Sequence, residues 1–133
     1  TFAVNGVYLH EWYFDVLGGA GEAKGELAEA LTEKYGSLEN FTNYFTACGM
    51  AARGWVVLCW DLHDQTLRIY NADAHNQGGV WACLPVLVLD VYEHAYFMDY
   101  GSDRKAYIGD WWKNLNWDKA NELFHKAKQI GIY

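Results

Sequence analysis

The sequence predicts an α+β fold in which helices flank a small three-stranded antiparallel sheet. Helical periodicity dominates the first third of the chain and returns after about residue 104, and three short apolar runs lie between these regions. Helices, then strands, then helices again is the order expected of an α+β domain. With 133 residues, seven Trp, ten Tyr and six Phe, the chain can bury a compact aromatic core.

The helices are predicted from apolar spacing and from residues typical of helix ends. Gly18-Gly19 ends the first helix and Gly36 ends the second, while Ser37 and Asn116 are good N-caps for two of the helices that follow. The predicted helices are Val7–Leu17, Glu22–Tyr35, Leu38–Met50, Lys105–Leu115 and Trp117–Gln129.

The strands are predicted from runs of β-branched, leucine and aromatic residues. Trp55–Trp60 and Leu67–Tyr70 surround the polar turn Asp61–Thr66, which indicates a hairpin. The polar, glycine-containing segment 71–79 is predicted as a loop, and Leu84–Asp90 as the third strand.

Composition excludes several classes of partner. A net charge of −7 argues against nucleic acid and against an anionic membrane surface, and no apolar run approaches membrane-spanning length. An anionic substrate would need local positive charge to reach so acidic a protein. Cys48, Cys59 and Cys83 form no Cys-x-x-Cys pair, so we expect reduced thiols. The expected location is the cytoplasm, with the mitochondrial matrix as the alternative.

Three potential metal ligands come from three different elements. Asp90 ends the third strand, where a buried carboxylate needs a partner; His94 follows it by four residues; and His10 lies on the first helix. Spacing alone also permits a metal-free pair of Asp90 and His94 under the core, and a His10 packed among apolar neighbours. Two imidazoles and one carboxylate suit iron or manganese, and zinc could also bind.

The segment Asp90–Phe97 (Asp-Val-Tyr-Glu-His-Ala-Tyr-Phe) resembles the signature of the iron/manganese superoxide dismutases. Other segments resemble motifs of that family in the same order along the chain. They are the His-x-x-aromatic-aromatic helix Leu9–Phe14, the Gly-Trp strand Gly54–Leu58, Tyr100 with the segment Arg104–Tyr107, and the aromatic segment Trp112–Trp117.

The resemblance implies one iron or manganese ion per subunit, bound by His10, Asp90 and His94. It implies disproportionation of superoxide to dioxygen and hydrogen peroxide. Residues 1–20 would be the end of an N-terminal helical hairpin domain, and residues 21–133 a C-terminal α+β metal-binding domain.

The resemblance also implies roles for residues around the metal. Trp55 would pack against the site, and Arg104 could supply the positive charge that attracts superoxide. The family places an outer Gln or His donor at one of two positions. One of them is Gly6 here, which has no side chain, so the donor would be His75 or Gln77, and spacing to Asp90 favours His75.

A further set of implied roles concerns assembly. Glu93 would reach the metal-binding histidine of a partner subunit, the equivalent of His94, in a homodimer or homotetramer. Phe97 stands where the family usually has an interface Tyr, so a hydroxyl is missing from the expected proton network. Tyr92 stands in place of a usual Trp beside the metal site.

The family's first metal-binding histidine and its substrate-gate tyrosine lie on an N-terminal helix that this sequence lacks. We expect the sequence to be a piece of a longer protein, because Val7, Leu9 and Tyr13 would otherwise expose an apolar face. The alternative is a true short form with an open three-ligand site. Two other functions remain open: a non-catalytic structural subunit with this fold, and a different iron enzyme of the two-histidine, one-carboxylate type.

Overall fold

A computed structural model describes residues 1–131, which form helices on both faces of a three-stranded antiparallel sheet. The predicted α+β fold is confirmed. The helices are α1 (Phe2–Asp15), α2 (Gly25–Tyr35), α3 (Leu38–Ala51), α4 (Phe97–Tyr100), α5 (Arg104–Lys113) and α6 (Trp117–Lys128), with a 3₁₀ turn at Glu93–Ala95. The strands are β1 (Trp55–Asp61), β2 (Thr66–Ala72) and β3 (Cys83–Asp90).

The sheet has the order β2-β1-β3, and β1 pairs antiparallel with both neighbours. The predicted hairpin between β1 and β2 is confirmed. In the β1–β3 ladder Trp55 lies opposite Asp90, and a bulge falls after Leu58, where Cys59 pairs with Pro85. Proline has no N–H to donate to a ladder, so an irregularity at this point is expected.

Alternation along the strands divides the sheet into two buried faces. Val56, Leu58 and Leu89 lie on the face covered by α3 and α6. Trp55, Val57 and Asp90 lie on the other face, which α1 covers. Since Trp55 and Asp90 are paired at one end of the ladder, α1 brings its own side chains above that end.

The predicted N-caps are confirmed. The Ser37 hydroxyl accepts a hydrogen bond from the Asn40 N–H at 3.0 Å, and the Asn116 side chain accepts one from the Lys119 N–H at 3.1 Å. Both bonds join residues three apart, which is why the local sequence was sufficient to predict them.

Two helix starts differ from the prediction by three residues or more. Helix α1 begins at Phe2 instead of Val7, because the Asn5 N–H already bonds to the Thr1 carbonyl at 3.0 Å and Gly6 is accommodated within the helix. Helix α2 begins at Gly25 instead of Glu22. The preceding segment is held on the end of α5 by hydrogen bonds from the Gly19 and Gly21 N–H groups to backbone carbonyls, at 3.0 and 2.9 Å.

Helix α1 has one buried side and one apolar exposed side. Tyr13 is buried and Leu9 half-buried against the sheet, so part of the expected exposure does not occur. Large apolar side chains are nevertheless exposed along the rest of the helix, at Phe2, Val4, Val7, Tyr8 and Phe14.

No helix in residues 1–131 combines the length and the apolar character needed to cross a bilayer. All three cysteines are free thiols, as predicted, with Cys59 buried and Cys48 and Cys83 half-buried. Burial raises the pKa of the Cys59 thiol, which keeps it protonated.

Candidate metal centre

The structure brings His10, Asp90 and His94 together, and one ligand atom from each lies within 4.8 Å of the others. Asp90 Oδ2 is 2.9 Å from His94 Nε2 and 3.3 Å from His10 Nε2. Asp90 is only 1% exposed, so its buried carboxylate needs compensation from the groups around it. Two nitrogens and a buried carboxylate oxygen therefore converge on one point, as a mononuclear metal site requires.

Asp90 is oriented by its position at the end of β3. Its Oδ1 accepts a hydrogen bond from the Tyr92 N–H at 3.0 Å, which directs Oδ2 toward the two imidazoles. His94 follows in the 3₁₀ turn, and its ring stacks on Tyr92 with centroids 5.2 Å apart. One short segment thus orients two of the three candidate ligands, and Tyr92 contacts one of them.

His10 is oriented by its own helix. Its Nδ1 lies 2.6 Å from the Gly6 carbonyl, and since a carbonyl can only accept, Nδ1 carries the ring proton. The lone pair of Nε2 is then available toward Asp90, in the arrangement typical of a metal-binding histidine. The edge of Trp55 packs on this ring, with centroids 4.9 Å apart, so Trp55 lies against the site.

His75 occupies the space that Gly6 leaves open. A Cβ added at Gly6 would lie 3.0 Å from His75 Cδ2, so position 6 has no room for a larger side chain beside this ring. The centroid of the His75 ring is 5.7 Å from that of His10. The structure therefore places next to the ligands the histidine that spacing favoured.

The protonation of His75 follows from its contacts. The Trp55 indole N–H donates to His75 Nδ1 at 2.9 Å, which leaves the ring proton on Nε2. Burial first, and then nearby His10, lower the pKa of His75, so the ring is neutral at physiological pH. His75 is thus a neutral N–H donor beside the three ligands.

Gln77, the other candidate donor, has an exposed side chain. Its backbone closes the turn of the loop: the Gln77 N–H bonds to the Ala74 carbonyl at 3.3 Å, and its carbonyl accepts from Asp73 at 2.9 Å. Gln77 shapes the loop that carries His75.

Arg104 binds the end of α3. Its guanidinium donates to the carbonyls of Ala52 at 2.6 Å and Gly49 at 3.2 Å, and also to the Tyr96 hydroxyl at 3.2 Å. These are helix C-terminal carbonyls without helical partners, at the negative end of the helix dipole. The contacts give Arg104 a structural role, while attraction of an anionic substrate stays a prediction.

We expect Arg104→Gln to lower the free energy of unfolding by about 2 kcal/mol, since several charge-assisted hydrogen bonds are lost. Urea unfolding of the variant measures this change, and Arg53→Gln, at an exposed arginine close in sequence, is the matched control. A variant with unchanged stability, but with a salt-dependent loss of superoxide consumption, would contradict the structural role and favour attraction of substrate.

Glu93 and Phe97 are at the surface beside His94. Phe97 is 58% exposed, and the side chain of His94 is 56% exposed. Among residues 1–131 the Glu93 carboxylate has no hydrogen-bond or ion-pair partner. The implied contact with another subunit stays a prediction.

A pair of tyrosines that the sequence left without a role lies behind the ligands. The Tyr107 hydroxyl donates to the backbone carbonyl of Asp90 at 2.7 Å, and the Tyr13 hydroxyl lies 2.7 Å from that of Tyr107. The sequence offered one indication that Tyr13 belongs near the site: it lies three residues after His10 on the same helix, among other aromatic residues. Spacing gave no indication that Tyr107 is its partner.

Comparison with known proteins agrees with this geometry. Residues 23–123 match the family model of the iron/manganese superoxide dismutases, C-terminal domain. The chain is 43% identical over 129 residues to "Superoxide dismutase [Fe]" of Aquifex pyrophilus, covering 96% of this chain and 61% of that protein.

Two further relatives differ in the metal that their names give. "Superoxide dismutase [Mn] 1" of Halobacterium salinarum is 37% identical, over 94% of this chain and 64% of its own length. "Superoxide dismutase [Fe]" of Plasmodium falciparum is 35% identical, over 92% of this chain and 64% of its own length. The chain thus spans about three fifths of the length of these relatives.

Proposed function

Because the chain belongs to the iron/manganese superoxide dismutase family, we propose that it holds an iron or manganese ion and takes part in the disproportionation of superoxide. The observation that carries this proposal is the placement of Asp90 Oδ2 between the Nε2 atoms of His10 and His94, at 3.3 and 2.9 Å. The bound ion would supply one-electron chemistry that oxidises one superoxide to dioxygen and reduces another to hydrogen peroxide.

The donor set fits such an ion. Both histidines offer Nε2, and the tautomer of His10 is fixed by its bond to the Gly6 carbonyl. Asp90 offers one oxygen, while its other oxygen stays on the Tyr92 N–H, so the carboxylate cannot rotate without losing a hydrogen bond. Hard oxygen and imidazole ligands without a thiolate suit iron and manganese.

His75 and Trp55 act beside the candidate metal ligands. Trp55 is fully buried, and its indole N–H keeps the His75 proton on Nε2. We infer that His75 donates this N–H toward the ligand pocket and helps to set proton delivery to the reduced product, which needs two protons. Gln77 supports the turn that presents His75.

The proposal extends to assembly and domain organisation. We propose a homodimer or homotetramer in which Glu93 bonds to the partner's metal-binding histidine, supported by the exposure of Glu93, His94 and Phe97, which lie close together in sequence. We also propose that residues 1–20 end an N-terminal helical domain, since the match to the C-terminal family model begins at residue 23.

Metal analysis combined with superoxide consumption tests the function, on residues 1–133 and on the product of the complete gene. We expect about one iron or manganese ion per subunit and consumption that disappears on chelation and returns with the metal. Zinc loading is the control, because zinc can occupy the same ligands but has no redox chemistry.

Absence of bound metal from both proteins would overturn the proposal. If the complete product binds metal but does not consume superoxide, the proposed metal site stands and the proposed activity is overturned.

A further inference from the structure

Two buried hydroxyls form a hydrogen-bonded chain that ends on the backbone of the carboxylate ligand. Tyr107 is 6% exposed and Tyr13 8% exposed, and their hydroxyl oxygens are 2.7 Å apart. The Tyr107 hydroxyl is 2.7 Å from the Asp90 carbonyl oxygen. Each hydroxyl has one proton that it can donate and an oxygen that can accept.

The hydrogen-bond directions in this chain are determined. The Asp90 carbonyl can only accept, so Tyr107 donates to it. The Tyr107 hydroxyl has then used its single proton, so its oxygen accepts from the Tyr13 hydroxyl. The chain of donors therefore runs from Tyr13 to Tyr107 to Asp90.

This series of hydrogen bonds connects the three elements that carry His10, Asp90 and the tyrosines. Tyr13 lies three residues after His10 on α1, Tyr107 lies on α5, and Asp90 ends β3. Backbone pairing with the segment before β1 continues one residue past Asp90, since the Val91 N–H bonds to the Gly54 carbonyl at 2.8 Å. The peptide between Asp90 and Val91 is thus held through its N–H by Gly54 and through its carbonyl by Tyr107, and Tyr13 couples it to the helix of His10.

We propose that Tyr107 and Tyr13 are positioning residues for Asp90, which set the place of its carboxylate relative to His10 and so tune metal affinity and geometry. The inference rests on the proposed metal site. Neither hydroxyl touches the metal position; both act through the Asp90 backbone. A role limited to packing would affect stability alone, whereas a positioning role also changes the ligand field of the bound ion.

Single and double Tyr→Phe variants test the proposal with Co²⁺ as the probe, because its visible absorption reports ligand geometry. We expect Tyr107→Phe to weaken Co²⁺ affinity about tenfold and to change the visible spectrum. Tyr13→Phe leaves the Tyr107–Asp90 bond in place, so its loss should be about threefold, half as large on a logarithmic scale.

The double variant tests whether Tyr13 acts on Asp90 only through Tyr107. Once Tyr107 is Phe, the Tyr13 hydroxyl has lost its acceptor, so adding Tyr13→Phe should cost no further affinity. Tyr100→Phe is the matched control, since it removes another tyrosine hydroxyl bond, 2.6 Å to Asp110, that does not lead to Asp90. Near-ultraviolet circular dichroism confirms that each variant is folded.

The outcomes separate this inference from the proposed function. If Tyr107→Phe lowers only thermal stability, as Tyr100→Phe would, with unchanged Co²⁺ affinity and spectrum, the positioning role is overturned. If the parent protein binds no Co²⁺, both the site and the inference are overturned. If the parent binds Co²⁺ and the variants shift as expected while no superoxide is consumed with iron or manganese, the positioning role stands and the activity is overturned.

Discussion

Replacing Asp90 with Asn is expected to reduce manganese or iron affinity by more than about 100-fold, beyond the usual cost of losing an outer partner of a ligand. Asparagine has nearly the same shape as aspartate but no charge, so it cannot neutralise a divalent or trivalent ion. Superoxide consumption should fall in parallel with metal content. Metal titration of the purified variant, with superoxide consumption assayed on the same samples, measures the two effects.

The control for this change is Asp61→Asn at the other end of the sheet. Asp61 is also buried, at 8% exposure, but its carboxylate is bound by the Arg68 side chain at 3.0 Å and by turn N–H groups. We expect Asp61→Asn to destabilise the hairpin and leave metal affinity unchanged. Retention of metal by Asp90→Asn would exclude Asp90 as a ligand.

His75→Ala is expected to have the second large effect. It removes the acceptor of the Trp55 indole N–H, and an unpaired N–H in a fully buried side chain costs about 1–3 kcal/mol of unfolding free energy. It also removes the Nε2–H donor beside the ligands, so superoxide consumption should decrease and its pH profile should shift. Urea unfolding and a pH series of consumption rates measure the two results.

His75→Gln separates the two roles of this ring. A Gln side chain can accept from Trp55 through its carbonyl and donate through its amide, so it should recover part of both losses. His125→Ala, at an exposed histidine of α6, is the control and should change neither property. If His75→Ala leaves the pH profile and the rate unchanged, His75 is not the outer donor.

The parts of the fold that depend on local sequence could be predicted. The caps at Ser37 and Asn116, the hairpin turn and the strand that ends at Asp90 involve residues a few positions apart. The meeting of Asp90 and His94 could also be predicted, since these two candidate ligands are four residues apart in sequence and 2.9 Å apart in space. The helix starts were less predictable, because a buried glycine in α1 departs from ordinary helix propensity.

The contacts that connect distant parts of the chain could not be predicted from spacing. Arg104 binds carbonyls 52 to 55 residues earlier, and Tyr13 meets Tyr107 across 94 residues. Periodicity and capping patterns carry no information on such pairs. Packing of α5 against the end of α3 creates the first, and the meeting of α1 and α5 at Asp90 creates the second. His10 could be placed with Asp90 only through the family resemblance.

The close fit of Gly6 and His75 restricts how this site can change in evolution. A side chain gained at position 6 while His75 is present would meet a ring 3.0 Å from its first carbon, whereas losing His75 first would leave Trp55 without an acceptor. Each single change has a different physical cost, steric in one case and polar in the other. The two positions are therefore expected to exchange together, so that descendants keep one donor beside the ligands from either the helix or the loop.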